Sequence, residues 1–430
     1  MALIRRGAVP AGLIVVAALG LSACGSSGDS SSTSSGSAST TGSSASTTGS
    51  STSSTPSTSN TASKKADVWV FDDVGGSGTG NQSPIDGVVA AAKSVNAANG
   101  IPGYQLVIKR CSTKTDTNVA RTCGQQAVAD KKAIAVVSLS QIGAPVYDPI
   151  LTQGKLSLIA DYGGGDDATS PISFPLDSTV FQTMGALGYA YKNYNMKKIY
   201  MVLGDFGTVS DQFVALADGI MKTSTGGVGL IGNTKIPPTA TDVSPYVQKA
   251  LNAKPDAIVA ALFESTFISF YRAYKQAGGT APVFCHGCGG TIAGLGKLAD
   301  GVRPILTATP STTKSPAVTQ YLADLDKYAP KRAGIADASS VAFGWSAVKL
   351  LETALKGTPT IDRAVTLEKL GALNNASAGL YAPFTTTKPF TGLGGKLPRV
   401  FNTTAIIGEA KDGKVYAKTP FFDWYKDLKK

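Results

Sequence analysis

From Ala66 onward, short and almost unbroken apolar runs alternate with longer stretches in which apolar positions recur every three or four residues. The unbroken runs are Val68–Phe71, Gln105–Lys109, Ile134–Ser138 and Leu156–Ala160, then Ile199–Leu203, Gly227–Ile236, Ala257–Leu262 and Pro282–Phe284. Runs of this kind predict strands buried on both faces, as in parallel sheets. The stretches between them predict helices over Ile85–Ala98, Thr117–Lys131, Val146–Gln153, Phe181–Tyr194, Asp211–Thr223, Pro245–Ala253 and Thr266–Ala277. Local punctuation agrees: Asn99-Gly100 ends the first helix, Ser244-Pro245 and Ser265 can open two others, and Gly278-Gly279 closes the last. Strand–helix–strand repetition predicts an α/β fold of doubly wound parallel sheets. The two strand sets each start anew, with the break near Phe174–Asp177. A third portion carries a strand at Pro304–Ala308 and helices at Ala317–Tyr328, Ser339–Lys356 and Asp362–Leu373. The tail, Tyr381–Lys430, is rich in Gly, Thr and aromatic residues and reads as strands and loops.

The N-terminus follows other rules. Arg5 and Arg6 precede the apolar stretch Leu13–Leu21, which is too short to span a bilayer. Leu21-Ser22-Ala23-Cys24 follows and resembles a bacterial lipobox. Residues 1–23 are therefore expected to be a lipoprotein signal peptide, with Cys24 as the lipidated first residue of the mature chain. The other reading is an ordinary secretory leader cut near Ala23. In Gly25–Ser63, 28 of 39 residues are Ser or Thr and the only apolar ones are three Ala. Nothing there offsets the entropy of ordering, so residues 24–65 read as an anchor plus a disordered tether. No later run is apolar over 18 residues, so no transmembrane helix is expected.

Composition then narrows the chemistry. The 430 residues carry a net charge of +11, falling to +9 once Arg5 and Arg6 leave with the signal peptide. The basic residues lie in scattered doublets such as Lys131-Lys132 and Lys331-Arg332, without an aromatic-interleaved stripe, which argues against nucleic acid. A single histidine, His286, excludes a multi-histidine metal site within the chain.

In doubly wound sheets, ligands lie at the carboxyl ends of strands. Loops rich in Gly or polar residues occur there: Asp72–Gln82, Ser138–Pro145, Asp161–Asp167, Gly204–Ser210, and Glu264 after Phe263.

Three stretches carry a family resemblance: Gly87 to Gly103 with Asn96-Ala97-Ala98-Asn99-Gly100, Pro255-Asp256-Ala257-Ile258-Val259, and Arg272-Ala273-Tyr274-Lys275-Gln276-Ala277-Gly278. In order and spacing they resemble the type I extracytoplasmic solute-binding proteins, in the leucine/isoleucine/valine-binding branch. The resemblance implies two lobes joined by three crossovers, with a ligand cleft between them. Lobe 1 would be residues 66–177 and 309–381; lobe 2 would be 178–308 and 382–430. It implies a carboxylate-binding role for Ser140, with Gln141 beside it, and a ligand-facing loop at Asp161-Tyr162. The aromatic that closes from the second lobe falls at Thr208, with Phe206 two residues earlier. The ammonium-binding Glu of the family falls at Gly287, so Asp161 or Glu264 would have to supply that charge. Phe263 and His286 complete the candidate set. No cofactor is expected. The implied partners are a small polar ligand, the permease and ATPase of an ABC importer, and the membrane through the lipid; the chain would act as a monomer. A lipoprotein that senses a ligand and signals to a membrane partner uses the same cleft.

With Cys24 lipidated, four cysteines remain. Cys111 ends a strand and Cys123 lies on the next helix, a natural short-range disulfide in an oxidising compartment. Cys285-His286-Gly287-Cys288 reads as a local disulfide, while a redox dithiol and metal ligation are also open to a C-x-x-C pattern. The Gly289-Gly290 that follows starts no clear helix. Enzyme signatures are missing: Gly76-Ser77-Gly78-Thr79-Gly80-Asn81 lacks the third glycine of a dinucleotide fingerprint, and neither a phosphate-binding P-loop nor a nucleophile elbow occurs.

Overall fold

The computed structural model describes residues 63–76, 85–140, 143–160, 165–331, 334–383, 385–392 and 395–428. The first sheet is built from β1 (Lys64–Asp72), α1 (Asp86–Ala97), β2 (Tyr104–Ser112), α2 (Thr117–Ala129), β3 (Ala133–Ser138), α3 (Ala144–Gln153) and β4 (Ser157–Ala160). Its strand order is β2-β1-β3-β4, all parallel. The second sheet follows through α4 (Thr179–Asn193), β5 (Ile199–Gly204), α5 (Thr208–Thr225), β6 (Gly232–Ile236), α6 (Ser244–Asn252), β7 (Ala257–Ala261), α7 (Glu264–Gln276), β8 (Val283–His286), α8 (Gly289–Leu295) and β9 (Arg303–Leu306). The chain then returns to the first sheet with α9 (Pro316–Tyr328), α10 (Ser339–Leu355) and α11 (Arg363–Gly371). It ends on the second with β10 (Thr404–Lys411), β11 (Lys414–Ala417), β12 (Phe422–Asp423) and α12 (Trp424–Leu428). The second sheet's order is β11-β10-β9-β8-β7-β5-β6, with β10 antiparallel to β9, β11 and β12.

Each sheet is covered on both faces, which is why the central strands β3, β5 and β7 read as near-continuous apolar runs. Val68 and Val70 of β1 meet Val88 of α1 and Val341 of α10 on one face. Phe71 and Val136 meet Cys123 of α2 and Tyr147 of α3 on the other. In the second sheet, Val202 and Ile258 pack with Phe270 of α7. Met201 and Val259 pack against Leu187 of α4 and Trp424 of α12.

Local details depart from the sequence pattern. The strand read from Gly227 is only Gly232–Ile236, because Gly226 and Gly227, at φ of 73° and 119°, turn the chain first. Ser244 is the first residue of α6 rather than its cap; the Asp242 carboxylate accepts its N–H at 2.9 Å. Likewise α7 begins at Glu264, ahead of Ser265. Gly289 and Gly290 do open a helix, α8, which corrects the expectation of none. Their small size is what permits it: an ideal Cβ on Gly289 would lie 2.2 Å from the Asp337 carbonyl oxygen, and one on Gly290 3.1 Å from the Ala338 Cβ. Disulfides join Cys111 to Cys123, tying β2 to α2, and Cys285 to Cys288, across the turn into α8.

Three passages connect the sheets. The first runs through Asp177–Ser178 and the second through Thr307–Thr309, where the Thr309 N–H donates to Leu380 C=O at 2.8 Å. In the third, Arg399 Nε donates to Ser173 C=O at 2.7 Å and the Asn402 side-chain amide donates to Leu176 C=O at 2.8 Å.

The packing of α1 on α10 has no slack. An ideal Cβ on Gly87 would fall 1.9 Å from the Val341 carbonyl oxygen. Gly87→Ala must push the two helices apart, and we expect a loss of about 1–3 kcal/mol. Urea unfolding of the two proteins measures it; equal midpoints at equal m would show that the contact yields without cost.

Candidate ligand-binding site

A topological switch point is where successive connections leave in opposite directions along a sheet, opening a crevice at the strand ends. In the first sheet it falls between β1 and β3, and in the second between β5 and β7. The residues just beyond these strands are Asp73 and Ser140 in one sheet, and Phe206, Phe263 and Glu264 in the other.

The first-sheet group is polar and tightly bonded. Asp72, fully buried, pairs with Arg110, whose Nε lies 2.6 Å from Oδ2, and accepts the Val74 N–H at 3.0 Å. Asp73, also buried, accepts two hydroxyls at Oδ1: Ser140 Oγ at 2.7 Å and Thr113 Oγ1. The Gly143 N–H, at the N-cap of α3, donates to Ser140 Oγ at 3.3 Å. Ser138 and Tyr147 share a hydroxyl–hydroxyl bond of 2.6 Å beneath. The ends of β1, β2 and β3 are thus knotted around one carboxylate. Sequence reading selected Ser140 but missed Asp73 and Thr113; the available signal was an Asp-Asp pair ending an apolar strand. Gln141, Asp161 and Tyr162 lie outside the described residues, as do Cys24 and Ser77–Asn81.

The second-sheet group is aromatic and acidic. Phe206 is 42% exposed and meets Phe263 edge to face, with ring centroids 5.4 Å apart. Its loop is fixed by Ser210, whose hydroxyl accepts the Phe206 N–H and donates to Gly204 C=O, each at 2.8 Å. Gly207, at φ 63°, takes the left-handed turn that starts α5, leaving Thr208 exposed as the first helical residue. Glu264 is half-buried, opens α7, and has no hydrogen bond or ion pair among the described residues. Burial raises its carboxyl above the usual range. Its Oε1 lies 3.0 Å from where a Cβ on Gly290 would sit, beside Ala338 at the start of α10. His286 ends β8 within the Cys285–Cys288 turn, with Nδ1 buried and unpartnered. Burial lowers it to about 4, so the imidazole is neutral.

A second buried acidic pair underlies the first sheet's crevice. Asp148 of α3 and Asp167, just after β4, each leave Oδ1 buried without a partner. Burial lifts Asp148 to about 6, with Asp166 adding and a Ser170 hydroxyl opposing. Burial, with Asp148 and Asp166 adding, pushes Asp167 well above the carboxylate range. Among the described residues, no group of three or more His, Cys, Asp or Glu has an arrangement that could hold a metal ion.

These two sheets, with strand ends and three passages so arranged, define the type I periplasmic-binding fold. The chain belongs to the periplasmic binding protein family, whose model matches residues 68–395. Its fold is similar to that of a possible leucine/isoleucine/valine-binding protein from Rhodopirellula baltica, at 15% identity, TM-score 0.69, covering 83% of this chain and 97% of that one. It is also similar to a branched-chain amino acid ABC transporter protein from Thermus thermophilus with bound valine (12% identity, TM-score 0.70, coverage 85% and 99%). A third is an ABC transporter solute-binding protein from R. palustris in complex with 4-hydroxybenzoate (17% identity, TM-score 0.68, coverage 85% and 98%). No curated protein sequence matches the chain. The family consists of solute-binding proteins and implies an extracytoplasmic location.

The titrations of the site oppose one another. With Asp148 at about 6 when folded against an ordinary 3.8, its contribution to stability is whole below pH 3.8 and is lost as pH rises through about 6. His286, at about 4 against 6.5, contributes above pH 6.5 and loses that as pH falls toward 4. Asp148→Asn should therefore remove part of any stability gained on acidification from pH 7.5 to 5, while leaving the His286 contribution in place. Unfolding midpoints across that range measure the slope, and identical slopes for both proteins would show Asp148 titrating as a solvated carboxylate.

Proposed function

We propose that this chain is the lipid-anchored solute-binding component of an ABC importer, capturing a small polar molecule by closure of its two lobes. The observation that carries the reading is the pair of switch points. Each sheet presents side chains from the carboxyl ends of two neighbouring strands, and the sheets are joined by only three short passages. A ligand touching both sets of side chains shifts the population toward the closed state. Ser140, Phe206, Thr208, Phe263, Glu264 and His286 form the described part of the binding surface in this reading, and Gln141, Asp161 and Tyr162 its continuation. The role is binding and delivery, without catalysis. The permease and ATPase are separate partners, and Cys24 with its Ser/Thr-rich tether holds the receptor at the outer face of the cell membrane.

Two measurements test this. Deleting the gene should abolish uptake of the solute that the purified protein binds, whereas unchanged uptake with a lost transcriptional response would favour a sensor. Cys24→Ala should release the protein from the membrane fraction and abolish labelling by a lipid precursor; continued membrane retention would overturn the anchor.

A further inference from the structure

Resting on that reading, we propose that the cleft selects a cationic ligand bearing N–H donors on an apolar body, such as an amine or guanidinium compound, with Asp73 and Glu264 as its specificity-determining residues. The argument begins with a proton count. A serine or threonine hydroxyl has one proton and two lone pairs. The Ser140 proton goes to Asp73 Oδ1 at 2.7 Å, and the Thr113 proton goes to the same oxygen. Each hydroxyl also accepts one backbone N–H, Ser140 from Gly143 and Thr113 from Thr115, both at 3.3 Å, so what each has left for a ligand is a single lone pair and no proton. A ligand carboxylate seated on Ser140 would meet a hydroxyl with no proton to give, beside a buried carboxylate of like charge, an arrangement that costs free energy. A ligand nitrogen carrying hydrogens meets lone pairs and a negative charge.

The group at the second sheet's switch point has the same polarity. Glu264 stands at the second switch point without a hydrogen bond or ion pair among the described residues. Among the described residues, the cations near the strand ends are engaged elsewhere or at the rim: Arg110 with Asp72, Lys235 with Asp211, and Lys114 exposed beyond β2. Asp205 already caps the Gly207 N–H at 3.1 Å, and Asp337 accepts the Ser311 N–H and hydroxyl at 2.9 and 2.8 Å. Of the described acids at the second sheet's strand ends, Asp205, Asp211 and Glu264, only Glu264 has a vacant valence. Beside it, Phe206 and Phe263 offer ring faces and edges to an apolar body, and a cation within about 6 Å of such a ring gains further attraction.

The test uses the exported full chain at low salt. Probes are tyramine, agmatine and putrescine against isoleucine and 4-hydroxybenzoate, read by thermal shift and then calorimetry. At least one amine should raise the midpoint, and Glu264→Gln and Asp73→Asn should each weaken its Kd tenfold or more while leaving the unliganded midpoint within a few degrees. Should Asp73→Asn fail to fold, Glu264→Gln alone decides. Binding of only isoleucine or 4-hydroxybenzoate, no shift from any amine, or an unchanged Kd in Glu264→Gln each overturns the proposal. Those failures leave the importer reading intact if a deletion strain still loses uptake of another solute. Conversely, tight amine binding with unimpaired amine uptake in that strain overturns the importer and keeps the specificity.

Discussion

The buried side-chain amide of Asn402 is the tie on which the two-sheet arrangement depends. Its Nδ2 donates to Leu176 C=O at 2.8 Å, on the first passage between the sheets. Its Oδ1 accepts both the Thr404 N–H at 2.9 Å and the Thr404 hydroxyl at 2.7 Å, on the strand the third passage enters. Its backbone carbonyl accepts the Ser178 hydroxyl at 3.0 Å. One residue thus satisfies polar groups of two passages at a place closed to water. Removing it would strand several buried donors and acceptors, each at about 1–3 kcal/mol. Beside it, Arg399 lies between Phe174 and Phe401, 4.5 and 4.7 Å from the ring centroids, and burial lowers its guanidinium to about 10. The first and third passages are therefore tied to each other by buried hydrogen bonds.

The start of α8 presses against the chain before α10, with Gly289 under the Asp337 carbonyl and Gly290 under Ala338. Both glycines follow the Cys285–Cys288 disulfide, which sets the turn out of β8, and Glu264 borders the same contact. Glu264, at the second switch point, thus lies where the second sheet's helices meet the start of α10.

Much of the fold was legible because burial on two faces leaves an unambiguous mark. Nine parallel strands read as apolar runs, from Val68–Phe71 to Pro304–Ala308, and the structure holds a strand at each. Where the reading slipped, the deciding force was tertiary. Gly289-Gly290 looks like a helix breaker, yet it opens α8 because a neighbouring chain leaves no room for a Cβ. The tail's role was invisible for the same reason: nothing local in Asn402 or Arg399 reveals that residues more than 200 positions earlier receive their hydrogen bonds. At the site, strand-end position pointed to Phe263, Glu264 and His286, and the family resemblance to Ser140, Phe206 and Thr208. Neither could report which atoms already share a proton.

That last gap changes what a conserved-looking position means. Carrying Ser140 over from the family resemblance preserves the residue and its place before α3, but a hydroxyl has no fixed polarity. Beside an N–H it accepts, and beside a carboxylate it donates. Here Asp73 is in reach at 2.7 Å, and the hydroxyl's proton is spent. The net charge of +11 gives no hint of this, because scattered surface lysines are screened over about 10 Å while a buried carboxylate acts at contact distance. The surface is basic and the described strand ends are acidic, and for a ligand drawn out of water it is the second sign that counts.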